Sequence, residues 1–308
     1  MVAFIYDPIF LEHDTGSYHP ECADRLRAIL RHIEPFRDKL LWLEPIAASR
    51  ELLLSVHSDD HIDMVEQQCS AGMPLDADTP TSLHSFVAAL KAAGAGIVAL
   101  DAIDGGKAHS AFAAVRPPGH HATKERSMGF CLFNNIAITA RYAQECGYDR
   151  VMIVDFDVHH GNGTQGIFYD DPTVLYFSSH QYPAYPGSGD STETGRGGGE
   201  GYTMNFPLLP ESCDEDILPI YEEELPRAVE SFEPDLILVS AGYDLHERDP
   251  LASLYISTDA IGDIVSNIME CSNVPKIFFL EGGYNLEALG ECVATTLKVM
   301  MASEHSAQ

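Results

Sequence analysis

The densest concentration of chemistry-bearing residues in the sequence is Asp155-Phe-Asp157-Val-His159-His160-Gly161-Asn162-Gly163. It follows the apolar run Val151–Val154, which reads as a buried strand. If strand geometry persists past Val154, Asp157 and His159 lie two apart and point to one face. Asp-x-His can then seat a carboxylate oxygen and an imidazole nitrogen on a single cation. Asp244, just past the apolar run Leu236–Ser240, can supply a third ligand. Three protein ligands with an open position for water is the pattern of a catalytic zinc site, and two carboxylates offset the divalent charge. A lone Asp-x-His after a strand is more often a cap or turn, because Asp favours such positions. Asp244 and two further histidines at strand ends reverse that balance. Orienting a histidine is the natural use for Asp155.

Those histidines are in Arg116-Pro-Pro-Gly119-His120-His121, after the run Ala111–Val115. Two prolines fix φ and a glycine permits a sharp bend, so a stiff turn presents tandem imidazoles. Histidine is the side chain suited to general acid–base work near neutral pH. Taken alone, an exposed His-His pair would be the simpler reading. Glu281-Gly-Gly-Tyr284-Asn285 follows Ile277–Leu280 and puts a phenol on a close-approach glycine turn, where it could serve a developing oxyanion. By itself a tyrosine after a strand is more often packing. Gly195-Arg-Gly-Gly-Gly-Glu-Gly201 lacks a following Gly-Lys-Ser/Thr, so it reads as a loop with close backbone approach rather than a phosphate cradle.

The elements that must position these groups are short Val/Ile/Leu/Phe-rich strands: Val2–Tyr6, Ala111–Val115, Val151–Asp155, Val174–Phe177, Leu236–Ser240 and Ile277–Leu280. Helical spacing runs through Pro20–Ile33, Leu83–Ile103, Asn135–Cys146, Asp216–Glu230, Thr258–Cys271 and Leu286–Met300. Strands alternating with helices predict one α/β sheet with helices on both faces. No repeat, linker or composition break divides the chain, so residues 1–308 are expected to form one domain. In such sheets the functional crevice lies past the carboxyl ends of the strands. Four strands here end in ionisable residues.

Composition bounds the partners. The 308 residues are 45% hydrophobic and 21% charged, which supports a substantial core and excludes disorder as the main description. Lys and Arg number 18 against 47 Asp and Glu, a net charge of −29. Such a surface repels phosphate backbones, so direct nucleic-acid binding is not expected, while basic partners, polycations and metal ions are attracted. Seven cysteines without a C-x-x-C pair indicate neither a disulfide framework nor a cysteine zinc knuckle. No run approaches the ~18 apolar residues of a membrane span, and no basic region precedes the short apolar N-terminus. The expected compartment is a reducing cytoplasm. Monomer and homo-oligomer both stay open, because loop surfaces decide between them.

Together the motifs resemble the zinc-dependent histone deacetylase family, and are most similar to its class II branch and to bacterial deacetylase-like amidohydrolases. The matching stretches, in family order, are His19-Pro-Glu21 with Arg25-Leu26; Arg116-Pro-Pro-Gly-His-His121; Gly129-Phe-Cys-Leu-Phe-Asn-Asn135; Asp155 to Gln165; Ser240-Ala-Gly-Tyr-Asp244; and Glu281-Gly-Gly-Tyr-Asn285. The resemblance implies the arginase/deacetylase α/β fold, with a central, mainly parallel sheet of about eight strands flanked by helices. It assigns zinc (Zn2+) to Asp157, His159 and Asp244, in agreement with the spacing. His121 would be general base and acid, and His120 an electrostatic partner. Asp155 and Asn162 would orient His120 and His121 respectively, and Tyr284 would bind the scissile carbonyl and then the oxyanion. Phe130, beside Gly129, and Tyr185 would flank a narrow tunnel, where relatives most often carry two Phe. Structural K+ sites near Asp155, Asp157 and His159 are common in relatives.

The reaction so implied is hydrolysis of acetylated or otherwise acylated lysine in proteins or peptides. An acetylpolyamine amidohydrolase would share the chemistry. Polyamine-selective relatives place a Glu seven residues after the metal Asp, whereas this chain has Leu251 there. Leucine offers only apolar contact, though Glu247 or Glu125 could substitute for the missing carboxylate. A silent acyl-lysine reader is disfavoured by retention of His120, His121, Tyr284 and all three ligands. A binuclear arginase-like manganese site would need more bridging aspartates than Asp157 and Asp244 provide.

Overall fold

The structure is a computed structural model and describes residues 1–306. Eight strands form one sheet: β1 Val2–Ile5, β2 Leu41–Leu43, β3 Ser110–Ala113, β4 Val151–Asp155, β5 Val174–Gln181, β6 Thr203–Leu208, β7 Leu236–Ala241 and β8 Lys276–Leu280. Their order is β2-β1-β3-β8-β7-β4-β5-β6, with every pairing parallel. The apolar runs are buried on both faces, as parallel strands covered by crossover helices must be. The helices are α1 Ala23–Ile33, α2 Arg50–Leu54, α3 Asp59–Ala71, α4 Ser85–Asp104, α5 Asn135–Glu145, α6 Asn162–Phe168, α7 Asp214–Pro219, α8 Leu225–Phe232, α9 Thr258–Glu270 and α10 Leu286–Ser306. α10 packs against both α1 and α9, and α4 packs on α5.

Four differences from the sequence-based expectation have local causes. The helix expected over Asp216–Glu230 is interrupted by a π-helical turn at Ile220–Glu224 between α7 and α8. Pro219 and Pro226 withhold the N–H groups a continuous ladder needs. Strands β2 and β6 were not expected: β2 is three half-buried residues and β6 contains Pro207, and both lie at sheet edges where such features are tolerated. Helices α2, α3 and α6 were also missed. α3 is largely polar, yet Ser58 accepts a hydrogen bond from His61 N–H, Asp59 and Asp60 occupy its first turn, and left-handed Gly72 closes it. Finally, α4 is 20 residues long and apolar enough to cross a membrane by length and composition, contrary to expectation; 61% of its 18-residue window is buried inside the protein, the pattern of a core helix.

What this topology does for function is visible in the sheet order. The strands whose ends carry the ionisable motifs, β3, β8, β7 and β4, are four consecutive neighbours. Their ends are in register to within a residue: Ala113 opposite Phe279, Phe279 opposite Ser240, and Ser240 opposite Asp155. The motifs therefore leave the sheet at one level and side by side.

Candidate active site

Strand β4 ends at Asp155, so strand alternation does not bring Asp157 and His159 together. A turn does. Asp155 Oδ1 accepts from Asp157 N–H at 3.1 Å, and Asp157 Oδ1 accepts from His159 N–H at 2.9 Å. These bonds curl the chain so that Asp157 and His159 face Asp244, and their ligand atoms all lie within 4.8 Å of one another. His159 Nδ1 is 3.0 Å from Asp244 Oδ2 and 3.3 Å from Asp157 Oδ1. Backbone donors fix both carboxylates: Val158 N–H on Asp244 Oδ1 at 3.0 Å and Gly282 N–H on Asp157 Oδ2 at 2.7 Å. Glycine is required beside them. A Cβ on Gly242 would meet Asp157 Oδ2 at 2.1 Å, and one on Gly282 would meet Asp244 Oδ2 at 2.1 Å.

The charges in this cluster are unbalanced without a cation. Burial and the neighbouring Asp157 carboxylate push the Asp244 carboxyl up to about 7. Burial opposes protonation of His159, but Asp157 and Asp244 outweigh it and raise its pKa to about 10. Two buried carboxylates converging on one imidazole nitrogen form a donor set that fits a divalent ion of the zinc type.

The tandem histidines are fixed from both ends. Glu281 Oε2 accepts from Gly119 N–H at 2.7 Å and His120 N–H at 3.2 Å, tying their turn to the end of β8. His120 Nδ1 is 3.1 Å from Asp155 Oδ2 and His121 Nδ1 is 2.8 Å from Asn162 Oδ1. Burial works against a charge on His120, but Asp155 and Asp157 lift its pKa to about 10. Burial, then the positive charge of neighbouring His120, holds His121 well below 6.5 and hence neutral. Its Nδ1–H donates to the Asn162 carbonyl, which leaves Nε2 as a free base.

These groups open into one cavity of about 200 Å3. Gly129, Phe130, Tyr185 and Leu251 line it, as do His120, His121, His159 and Tyr284. Gly129 is left-handed at φ 55°, and a Cβ there would lie 2.4 Å from His121 Cδ2. The ring of Tyr185 stands edge-on to His121 at 5.2 Å, and that of Phe130 edge-on to Tyr284 at 5.8 Å. Among the described residues the hydroxyls of Tyr284 and Tyr185 have no hydrogen-bond partner. Burial raises the Tyr284 phenol well above 10, so it stays a donor. Neither Glu247 nor Glu125 is in the lining; the carboxylate there is Asp78, which the sequence did not single out.

A family model described as the histone deacetylase domain matches residues 19–300, nearly the whole chain. The chain belongs to the histone deacetylase family. This histone deacetylase relative is 41% identical over 308 aligned residues to "Histone deacetylase 10, chloroplastic" of Oryza sativa subsp. japonica, covering 92% of this chain and 70% of that protein. It is 36% identical to a "Probable deacetylase" of Archaeoglobus fulgidus, covering 98% of this chain and 86% of the other. A crystal structure of the HDA15 HD domain superposes with a TM-score of 0.92 at 36% identity, covering 97% of this chain and 90% of that one. Family membership supports deacetylase activity and the arginase/deacetylase α/β fold.

Three residues of the matching stretches give no sign in the sequence that they meet. A buried network of Glu21, Arg25 and Arg116 underlies Tyr284, with the Arg25 guanidinium 5.0 Å from the Tyr284 ring centroid. Burial alone would raise Glu21, but Arg116, with smaller help from His13 and Arg25, holds it at about 2. Glu21, Arg25 and Arg116 are spread over 95 positions, and only the fold shows that they meet.

Proposed function

We propose that residues 1–308 form a single zinc-dependent deacetylase domain that removes acetyl or other acyl groups from lysine side chains of proteins or peptides, releasing acetate and free lysine. One observation carries the reading: His159 of the Asp157–His159–Asp244 cluster, neutral His121 and Tyr284 line the same cavity, walled by Phe130, Leu251 and Tyr185. Zinc held by Asp157, His159 and Asp244 would supply a Lewis acid for the acyl carbonyl and for a water.

The remaining work falls to the chain's own side chains. Phe130, Leu251 and the Tyr185 ring enclose the neutral stem of an acyl-lysine, at a gain of roughly 25 cal/mol per Å2 of apolar surface buried. His121 Nε2 takes a proton from the attacking water, whose oxygen adds to the acyl carbon. Tyr284 donates to the oxygen on which charge develops. As the carbon–nitrogen bond breaks, its electron pair leaves on nitrogen, and His121 returns the proton there. His120, paired with Asp155, keeps a positive charge beside the developing anion.

Leu251 favours lysine over polyamine substrates, since a leucine in the wall offers nothing to a secondary ammonium. Asp78 is the one observation on the other side. It lines the cavity, and burial with neighbouring Asp76 raises its pKa. Turnover of an acetyl-lysine peptide, N-acetylputrescine and N8-acetylspermidine by zinc-replete protein tests the reading. The peptide should be preferred. Preference for either polyamine, or no turnover of any, contradicts it.

A further inference from the structure

Tyr284 can serve an oxyanion only if its unpartnered hydroxyl is aimed without help at its own end. The backbone that carries it is intrinsically loose, since Gly283 sits at φ 116° and Gly282 precedes it. Two groups hold that backbone from opposite sides. Arg25 donates to the carbonyls of Gly283 at 2.7 Å and Glu281 at 2.5 Å. Asp249 takes the N–H groups: its Oδ2 accepts from Tyr284 N–H at 2.6 Å and Asn285 N–H at 3.1 Å.

Asp249 is buried, 8% exposed, and among the described residues its carboxylate forms no ion pair. Its other oxygen accepts from Leu251 N–H at 3.0 Å. One carboxylate thus joins the wall residue Leu251 to the phenol-bearing segment 35 positions away. Asn285 Nδ2 adds a bond back to Arg248 O at 3.0 Å. A buried carboxylate spent on three backbone donors is costly unless the geometry it fixes is useful.

We propose that Asp249 is a positioning residue that aims the Tyr284 hydroxyl into the cavity by fixing its backbone to the loop carrying Leu251. The inference rests on the proposed deacetylase reading and deepens it. Asparagine at 249 keeps the volume and one acceptor, but its NH2 opposes backbone N–H groups. The Tyr284 segment should then shift by a fraction of an ångström, which for a preorganised donor costs on the order of 10–100-fold in turnover.

The test is a double-mutant cycle on full-length, zinc-loaded protein: wild type, Asp249→Asn, Tyr284→Phe and the double variant. Each is assayed with whichever acetyl-amine the wild type hydrolyses fastest. Asp249→Asn should lower kcat about 10–100-fold with KM changed less than about threefold. In the Tyr284→Phe background the same substitution should lower kcat less than about twofold, because the group it acts through is gone. Equal losses in both backgrounds, or a wild-type kcat in Asp249→Asn, overturn the proposal. Should Asp249→Asn fail to fold, Asp249→Glu, which keeps the charge and displaces it by one methylene, is read in the same cycle with the same criteria. The wild-type rate reports on the proposed function, and the comparison of ratios reports on Asp249, so the two can fail separately.

Discussion

His120 and His121 are adjacent in the chain, with ring centroids 4.0 Å apart, yet their Nδ1 atoms meet different oxygens and the two rings are held in opposite protonation states. A carboxylate, Asp155, faces His120 and, against burial, keeps it charged; an amide carbonyl, Asn162, faces His121, which burial and the charge on His120 keep neutral. Two imidazoles in one site are thereby separated into a fixed cation and a base.

That division predicts a pH effect. Replacing Asn162 by Asp puts a carboxylate on His121 Nδ1 and raises the His121 pKa. A base whose pKa is raised is lost at higher pH on acidification. The acid limb of kcat/KM should move to higher pH in Asn162→Asp, measured as a smaller fraction of the pH 8 activity surviving at pH 6. An unchanged limb would mean that His121 is not the base.

Tyr284→Phe removes the phenol donor and leaves the ring between Phe130 and Arg25. Turnover should fall on the order of 10²–10³-fold, the cost of a missing oxyanion donor, with zinc content unchanged. Steady-state kinetics with metal analysis on the same samples checks it; a rate near that of wild type removes Tyr284 from the mechanism.

Leu251→Glu places a carboxylate in the cavity wall. The ratio of kcat/KM for N8-acetylspermidine to that for an acetyl-lysine peptide should rise by about tenfold or more, as a cation gains a partner and the apolar stem loses one. A ratio that stays fixed would show that this wall does not select the substrate.

Away from the cavity, His57 couples stability to pH. Its Nδ1–H donates to Thr123 O at 2.9 Å and its Nε2 accepts from Asn134 N–H at 2.9 Å, a pairing only neutral imidazole can make. Burial, with His61 beside it, lowers the His57 pKa to about 3. The unfolded chain therefore binds the extra proton first. The stabilisation is complete above about pH 6.5 and declines toward pH 3 by about 1.4 kcal/mol per unit. In His57→Gln, urea midpoints should be lower at pH 7.5 but fall less steeply between pH 6.5 and 4. Parallel curves would contradict this.

How much of this was legible beforehand depended on where each signal resides. Asp157, His159, Asp244, His120, His121 and Tyr284 follow apolar runs, and the rule that strand ends line the crevice was enough to group them. The turn that joins Asp157 to His159 was not legible, since strand alternation gave the same pairing for a different reason. Asp249 gave no signal, and Glu21 and Arg116 stand in the family-matching stretches without showing that they pair, because these partners lie 35 to 95 positions apart. β6 was hidden by Pro207 and α3 by its polar composition, and in both cases tertiary packing outweighs local preference.

The most direct test of the central claim is a zinc titration of chelator-treated protein followed by acetyl-lysine turnover. Activity should be absent at the start, rise linearly with added zinc and break at one equivalent per chain, with no recovery in Asp244→Asn. Full activity in the chelated protein, or wild-type recovery without the Asp244 carboxylate, would contradict the account.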